Sequence, residues 1–504
     1  MSGPKRVANE YDSVPYPSLA FLQTHPDRLA VIATLRGMSP REVEHCRVLE
    51  LACGDGSNLI PMAYGLPGSE FVGVDLARNP VEAAQAMIRV MGLENIRVEQ
   101  KDVLEIEPDF GEFDYIIAHG VFAWVPENVQ EKILKICGAN LSARGVAFVS
   151  YNTNPAGHVR RILREMVQFQ ERRGEESPDR VKRGREFAEA ILKATDARSP
   201  WKALLEEELR LTFHRDERVV YHDDLAEHFS PVSFAEFAGR AARHGLQCLG
   251  EAQIGDLVEG ENNRAAQETL RELAHGDDIA FQQYLDFARY RRFRQSLLCR
   301  AEIPLCRDGM EERMCKLLVA SPLRASKEFA DGAVEFTNSR GAGTLSTSNP
   351  AIIVLLRRLE AMWPRGERFG VLADSTLGSL PSDEKSPARA GLAQAVLQLA
   401  GNSLVDLRTY HLRLAQGVSE KPEASLLARR MARGNGVATT LLHTRVQIED
   451  DQGRRFLQLL DGTRDRQELA DALAEDAGNI SREEILKQVD GNLVSSYRMG
   501  LLIG

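Results

Sequence analysis

The chain has 504 residues, 43% apolar and 27% charged, with a net charge of −10 and a pI of about 5.7. At roughly 150 residues per domain that is material for about three folded units, and the acid excess argues against a general nucleic-acid binder. Seven cysteines without a Cys-x-x-Cys pair give neither metal-ligand spacing nor a disulfide framework, so no metal and a reducing cytoplasm are expected.

In chain order, the first stretch, through Pro17, lacks the apolar core of a secretory signal, and no apolar run reaches the roughly 20 residues that span a bilayer. From Arg47 to about Asn152 short apolar strands alternate with helices. Strands are expected at Arg47–Ala52, Glu70–Asp75, Ile96–Gln100, Phe113–Ala118 and Gly145–Tyr151. Helices are expected from Ser57, over Pro80–Met91 and over Asn128–Asn140. The alternation implies βαβ units and a parallel sheet, with ligands at the carboxyl ends of its strands. From His158 to about Leu211 the chain turns helical and rich in arginine (160, 161, 164, 172 and 173), read as a solvated helix face. Tyr221–His244 reads as helical with a tight turn at Ser230-Pro231. Leu246–Ala252 and Arg294–Arg300 read as two further strands that complete the sheet. A boundary falls near Cys306. Gly378–Arg389 reads as a surface loop. The end reads as a strand over Leu441–Ile448, helices over Arg454–Leu460 and Arg466–Leu473, and a terminal helix over Arg482–Met499, a winged-helix shape.

The chemistry concentrates at Glu50-Leu-Ala-Cys-Gly-Asp-Gly-Ser-Asn58. An acid ends a strand, and two glycines let the backbone turn sharply and approach a ligand before a helix N-terminus offers its free N–H groups. No Lys-Ser/Thr follows, so this is no phosphate loop, and Leu59 replaces the last glycine of a dinucleotide fingerprint. Asp75, ending the next strand, suits both hydroxyls of a ribose. Asp102-Val103 suits an adenine, and His119-Gly120 ends the fourth strand. Cys53 reads as a small residue in a tight turn. His222-Asp223-Asp224 reads as capping at a helix start rather than as an acid/base cluster.

Several segments bear a family resemblance. They are Tyr11-Asp-Ser-Val-Pro-Tyr-Pro, Gln23-Thr-His-Pro-Asp-Arg-Leu, Val48-Leu-Glu-Leu-Ala-Cys-Gly-Asp-Gly and Phe113-Asp-Tyr-Ile-Ile-Ala-His-Gly-Val-Phe-Ala-Trp-Val-Pro. Val149-Ser-Tyr-Asn-Thr, Tyr221-His-Asp-Asp-Leu and Leu459-Leu-Asp-Gly-Thr-Arg-Asp-Arg continue the series. The chain resembles bacterial class I methyltransferases with a methyltransferase regulatory domain, of which the rickettsial outer-membrane-protein lysine methyltransferases are members. The resemblance implies an α/β, Rossmann-like methyltransferase core with a helical insertion and C-terminal α+β, winged-helix-like modules. The expected divisions are 1–155 (cofactor-binding core), 156–220 (helical insertion), 221–308 (remainder of the sheet and regulatory helices), 309–433 (middle α+β unit) and 434–504 (winged-helix-like end).

The cofactor implied is S-adenosyl-L-methionine (SAM), leaving as S-adenosylhomocysteine. Its expected binding residues are Gln23, His25, Glu50, Ala52, Gly54, Gly56, Asn58, Asp75, Leu76, Asp102, Val103 and His119. Tyr16 and Gln23–His25 are expected to close over its methionine end. The candidate acceptor-side residues are Tyr16, His119, Trp124 and His158. His119 is read as an orienting group or base, or as a backbone-binding histidine. Trp124 is read as a pocket wall or as core, and His158 as a base or a helix cap. The acceptor implied is a protein lysine. Family members often read Asn-Thr-Tyr-Pro-Gly-Trp-His where this chain has Asn152-Thr-Asn-Pro-Ala-Gly-His158. With both aromatics lost, a peptide or small-molecule acceptor at nitrogen or oxygen is an alternative, as is a non-catalytic SAM-binding regulator. A NAD oxidoreductase is disfavoured by the incomplete glycine fingerprint. The C-terminal run from Phe456 also resembles peptide-binding winged helices of the pyrroloquinoline-quinone peptide-chaperone type, which would suit a peptide strand added at an edge. No nucleic acid or membrane partner is expected, and a homodimer is one option.

Overall fold

The computed structural model describes residues 12, 14–172, 179–226, 228–257, 264–306, 308–340, 343–378, 380–434, 436–475 and 481–504. Tyr11, Ser13 and Arg173 of the segments above lie outside them.

Seven strands form one sheet: β1 (Arg47–Leu51), β2 (Glu70–Asp75), β3 (Ile96–Gln100), β4 (Phe113–Ala118), β5 (Leu141–Asn152), β6 (Leu246–Glu251) and β7 (Phe293–Arg300), in the order β3-β2-β1-β4-β5-β7-β6. β1 to β5 pair in parallel, and β7 runs antiparallel to both β5 and β6. Central strands such as Val48-Leu49-Glu50-Leu51 are buried on both faces, which is why they read as continuous apolar runs. The order reverses between β1 and β4, so a crevice opens beyond their carboxyl ends, where ligands of doubly wound sheets sit.

Helices cover both faces: α1 (Pro26–Leu35), α2 (Leu59–Gly65), α3 (Arg78–Met91) and α4 (Glu127–Asn140). α3 buries Val81, Ala84, Ile88 and Met91, a 3–4 residue spacing that makes one apolar stripe, and it ends on Gly92 at φ +63°. Between β5 and β6 lie α5 (Ala156–Glu171), α6 (Arg180–Ala194), α7 (Pro200–Phe213), α8 (Glu217–Asp224) and α9 (Phe234–Ala242). α5 to α8 share a small core that includes Leu163, Val181, Leu205 and Val220.

Beyond β7, strands Leu318–Ala320, Glu367–Arg368 and Asp406–Arg408 form a sheet beside helices Pro350–Met362, Phe369–Thr376 and Ser382–Gly401. Their core is continuous with that of α1 and α2, from Leu29 and Leu59 to Leu397 and Leu407. The C-terminal unit packs helices Asp451–Leu459, Arg466–Ala474 and Arg482–Arg498 around a core of its own.

Four expectations are corrected. Ser382–Arg389 begins a helix rather than a loop, because Leu392, Ala393, Val396, Leu397 and Ala400 bury one face of the segment that follows. The strand expected over Leu441–Ile448 shrinks to Arg445–Gln447. Thr440 N donates to Thr444 O at 2.8 Å and His443 takes φ +55°, so Leu441–Thr444 is a turn. Arg160 and Arg164 are buried rather than solvated. His222-Asp223-Asp224 ends α8 instead of starting a helix, so its acids cannot serve as N-terminal caps.

Candidate functional site

The turn after β1 is held in an unusual backbone. Ala52, Gly54 and Gly56 all lie at positive φ (57°, 55° and 71°), a region that costs a residue with a Cβ about 1 kcal/mol or more. Gly54 N donates to Asp75 Oδ2 at 2.8 Å, and Ala77 N to Asp75 Oδ1 at 2.8 Å. Each Asp75 oxygen keeps a second lone-pair site. Burial raises the Asp75 carboxyl above its ordinary value against these two bonds. Leu76, next along, is 57% exposed, so apolar surface stands uncovered at the carboxyl end of β2. Asp102 caps a short turn through Leu104 N at 2.9 Å, and Val103 packs on the neighbouring core. Cys53 is buried against Gly73, and burial pushes its thiol well up, which agrees with a packing role.

An N-terminal strap runs over this turn. Asp12 Oδ1 accepts from Asn79 N at 2.8 Å, at the start of α3. Ser18 donates to Asp55, Leu19 N to Ser57 Oγ at 3.0 Å, and Phe21 N to Asn58 Oδ1 at 2.9 Å. Asn58 is 5% exposed and its amide is fully engaged. Its Nδ2 donates to Glu50 Oε1 at 2.7 Å and to Thr24 Oγ1 at 3.0 Å, and its Oδ1 also accepts from His443 Nε2 at 3.0 Å. Asn58 therefore shapes the site from behind. Glu50, 4% exposed, keeps Oε2 without a hydrogen-bond partner among the described residues. Burial, against the Asn58 bond, pushes its carboxyl up to about 8. The Gln23 side chain makes no hydrogen bond among the described residues. His25 turns the other way: its Nδ1 caps α1 through Asp27 N at 3.1 Å, and its ring lies 5.2 Å from that of His443 and 6.5 Å from that of Tyr410.

Beyond β4, His119 Nδ1 lies 2.9 Å from Ser150 Oγ, which also accepts from Gly120 N at 2.9 Å. The rings of Phe21, Phe148 and Phe293 stand 4.1, 5.6 and 6.4 Å away, edge to face. Burial lowers the imidazole to about 4. His119 is thus a neutral ring in an aromatic box and has little capacity to hold a proton near pH 7. Among the described residues no cluster of His, Cys, Asp and Glu could hold a metal, and no helix is long and apolar enough to cross a membrane.

Residues 42–189 match a family model described as "Methyltransferase domain", 216–300 one described as "Predicted methyltransferase regulatory domain", and 420–495 one described as "PKMT, C-terminal winged helix domain". The uncharacterized protein RP789 of Rickettsia prowazekii is 29% identical over 499 residues, 97% of this chain and 89% of its own. RP028 of the same organism is 32% identical over 240 residues, 47% of this chain and 96% of its own. The structure of PKMT2 from Rickettsia typhi in complex with AdoHcy superimposes with a TM-score of 0.87 at 25% identity, covering 97% of this chain and all of that one. The chain belongs to the SAM-dependent class I methyltransferases that carry a regulatory domain and a PKMT winged helix.

In this methyltransferase the regulatory helices reach the strap directly. His222 Nε2 donates to Val14 O at 2.6 Å, and its ring is 5.8 Å from that of Tyr16, which is 37% exposed. Trp124 has its ring 5.1 Å from Phe229, with the Arg160 and Arg164 guanidinium carbons 5.1 and 5.4 Å from its centroid. Arg160 Nε donates to Asp224 Oδ1 at 2.9 Å, Arg215 also pairs with Asp224, and Arg164 donates to the Asp223 carbonyl. Trp124 thus fastens the insertion to the core. His158 is exposed in the first turn of α5. A Cβ on Gly157 would meet Pro231 Cβ at 2.6 Å, so this helix start packs where no side chain fits.

Sequence reasoning missed His443, Ser150, Phe21 and Phe293. Ser150 lies within the family-like Val149-Ser-Tyr-Asn-Thr, but nothing there singles out its side chain. Phe21 falls between the two N-terminal family-like segments with its partner His119 98 residues on, and His443 and Phe293 meet the site only through the fold.

Proposed function

We propose that this methyltransferase transfers the methyl group of SAM to a nitrogen, with a protein lysine as acceptor. The cofactor assignment is supported by the groups left open at the crevice. Glu50 Oε2 is a buried carboxylate oxygen without a donor, which suits the α-ammonium of a methionine moiety. Asp75 keeps lone pairs for ribose hydroxyls, and Gln23 keeps an amide. Leu76, Asp102 and Val103 border the adenine end in this reading, and the strained Ala52–Gly56 backbone allows close approach. His25 and Asn58 act from behind the turn. When bound, SAM supplies a methyl group already activated on a sulfonium.

The protein's own work is then alignment and dehydration. A free lysine has a pKa of about 10.4, and burial against Phe21, Phe148 and Phe293 favours its neutral, nucleophilic form. His119, uncharged, orients rather than deprotonates, and Tyr16 borders the entrance. The five-part division into 1–155, 156–220, 221–308, 309–433 and 434–504 is retained as the working domain scheme.

The observation that carries the lysine reading is the end-to-end likeness to PKMT2, winged helix included; PKMT abbreviates protein lysine methyltransferase. A second reading, a small amine, is favoured by Asn154, whose buried Oδ1 has no donor among the described residues at the end of β5. Labelled SAM offered with proteins, peptides and small amines, followed by mass spectrometry of the products, separates the two. Label on lysine Nζ is expected, and label confined to small amines or to oxygen would overturn the lysine reading.

A further inference from the structure

On the far side of the strap, a cleft with about 430 Å³ of empty space, open solvent at its mouth included, lies where α1, the strand Asp406–Arg408 and the turn Leu441–His443 converge. Its walls carry His25, Asp27, Arg28, Asp406, Arg408 and Tyr410 among others. Asp406 is satisfied on both oxygens and Asp27 on Oδ1. Asp406 Oδ1 accepts from Arg340 Nη2 at 2.8 Å and its Oδ2 from Arg408 Nη2 at 3.3 Å. Burial alone would raise Asp406, but Arg340 and Arg408 hold it at about 2. Asp27 Oδ1 accepts from Thr409 N at 2.7 Å and Thr409 Oγ1 at 2.6 Å.

Beside Asp27 Oδ2 and the His443 Nδ1 lone pair, the groups left over are donors. The Arg28 guanidinium feels the charges of Asp406 and Asp27 but makes no hydrogen bond or close ion pair among the described residues. The Tyr410 hydroxyl has no partner among them either, although the residue is only 6% exposed. His25, 7% exposed, accepts from Asp27 N through Nδ1, so its neutral ring carries the proton on Nε2, which has no partner among the described residues. None of these three donors is sealed from the open space of the cleft, so a ligand there can reach each of them. Three arginines (28, 340 and 408) face two aspartates here, so the local charge balance also lacks one anion.

We propose that this cleft is a second binding site, separate from the methyl-transfer crevice, that holds a small oxyanion on the donors of Arg28, Tyr410 and His25. The ligand class is a carboxylate or phosphate of small size, since both present the planar or tetrahedral oxygens that a guanidinium and an O–H satisfy. The occupant is read by the cofactor turn. His25 is followed by α1 and preceded by Thr24, which bonds Asn58. His443, on the cleft wall, donates to the same Asn58, and Asn58 holds Glu50. An anion that fixes these walls fixes Glu50, so its binding and that of SAM are coupled. This coupling rests on the cofactor reading above, whereas the anion site does not.

The test is calorimetric titration of the full chain with inorganic phosphate and, separately, acetate, against chloride at equal ionic strength. Saturable binding of one of them is expected, lost in Arg28→Gln and in Tyr410→Phe. The anion that binds tells phosphate from carboxylate. Tyr410→Phe keeps the ring and decides the matter if Arg28→Gln fails to fold. No heat beyond chloride, or unchanged binding in Tyr410→Phe, overturns the site. With the anion saturating, SAM affinity should change about 5-fold or more. An unchanged SAM affinity alongside retained anion binding overturns the coupling and leaves the site standing.

Discussion

His443 Nε2 donates a 3.0 Å hydrogen bond to Asn58 Oδ1 across 385 residues of sequence, so the C-terminal unit is wired to the turn that holds Glu50. Both side chains are buried, at 4% and 5% exposure, and burial keeps the His443 imidazole well below its ordinary value. His443→Leu retains bulk and removes the donor. It should destabilise the chain by about 1–2 kcal/mol, the cost of a broken buried hydrogen bond. It should also weaken SAM severalfold, since Asn58 loses a restraint. Thermal denaturation and SAM titration measure the two effects, and an unchanged SAM affinity would show that the wing does not reach the cofactor turn.

Glu50 should make SAM binding pH-dependent. Its carboxyl stands at about 8 when folded, raised by burial, against about 4.3 in an unfolded chain. The folded state therefore holds the proton more tightly, and the stability Glu50 contributes is complete below about 4.3 and lost as pH rises through about 8. An ammonium beside Oε2 would favour the ionised form and expel that proton. Calorimetry at pH 7 in buffers of different ionisation enthalpy should show proton release on binding SAM, absent in Glu50→Gln. Equal release in the variant would remove Glu50 from the ammonium contact.

How far the sequence announces the fold and the site depends on how local the information is. The sheet was legible because strands buried on both faces are written as unbroken apolar runs, and the turn was legible because Gly54 and Gly56 are needed within three residues of one another. The fate of the arginines was not. Arg160 and Arg164 recur at a spacing that looks like a wet helix face. Their burial depends on Asp223, Asp224, Phe229 and Trp124, none closer than 36 residues. His25 looked like part of a lid, and its neighbours Gln23 and Thr24 do lie on the strap. Helix α1 begins at Pro26, however, and makes the His25 side chain its cap, which turns the ring toward Tyr410. Such choices are settled by tertiary partners that leave no periodic trace.

Asp75→Ala should weaken SAM by about 10-fold to 100-fold, the loss of hydrogen bonds to a charged acceptor at about 1.5–3 kcal/mol. Two losses combine here. The ribose would lose its acceptor, and Gly54 N would lose the carboxylate that pins the turn at 2.8 Å. Asp75→Asn separates them, because its amide oxygen can still accept from one backbone N–H. If both variants bind SAM as the parent does, the assignment of this strand end to the cofactor is wrong.

Asp224→Asn tests the clamp between insertion and core. Asp224 is 4% exposed and meets Arg160 at 2.9 Å as well as Arg215. Burial would raise its carboxyl, but Arg160 and Arg215 overcome that and hold it below the ordinary value. Removing the charge leaves Arg160 and Arg164 buried over Trp124 with one anion fewer. Breaking a buried pair on one side costs about 3–5 kcal/mol, and Asn, which can still accept a hydrogen bond, should fall at the lower end. Trp124→Leu should cost less, because the ion pairs survive and only the stacking is lost, at about 1–2 kcal/mol for desolvated cation–π contacts. Because α8 also carries His222, which holds Val14 of the strap, Asp224→Asn should raise the KM for SAM as well, whereas Trp124→Leu should not. Chemical denaturation followed by steady-state kinetics distinguishes the two. Equal effects of both variants on KM would mean that the insertion holds the strap through its packing on the core rather than through the end of α8.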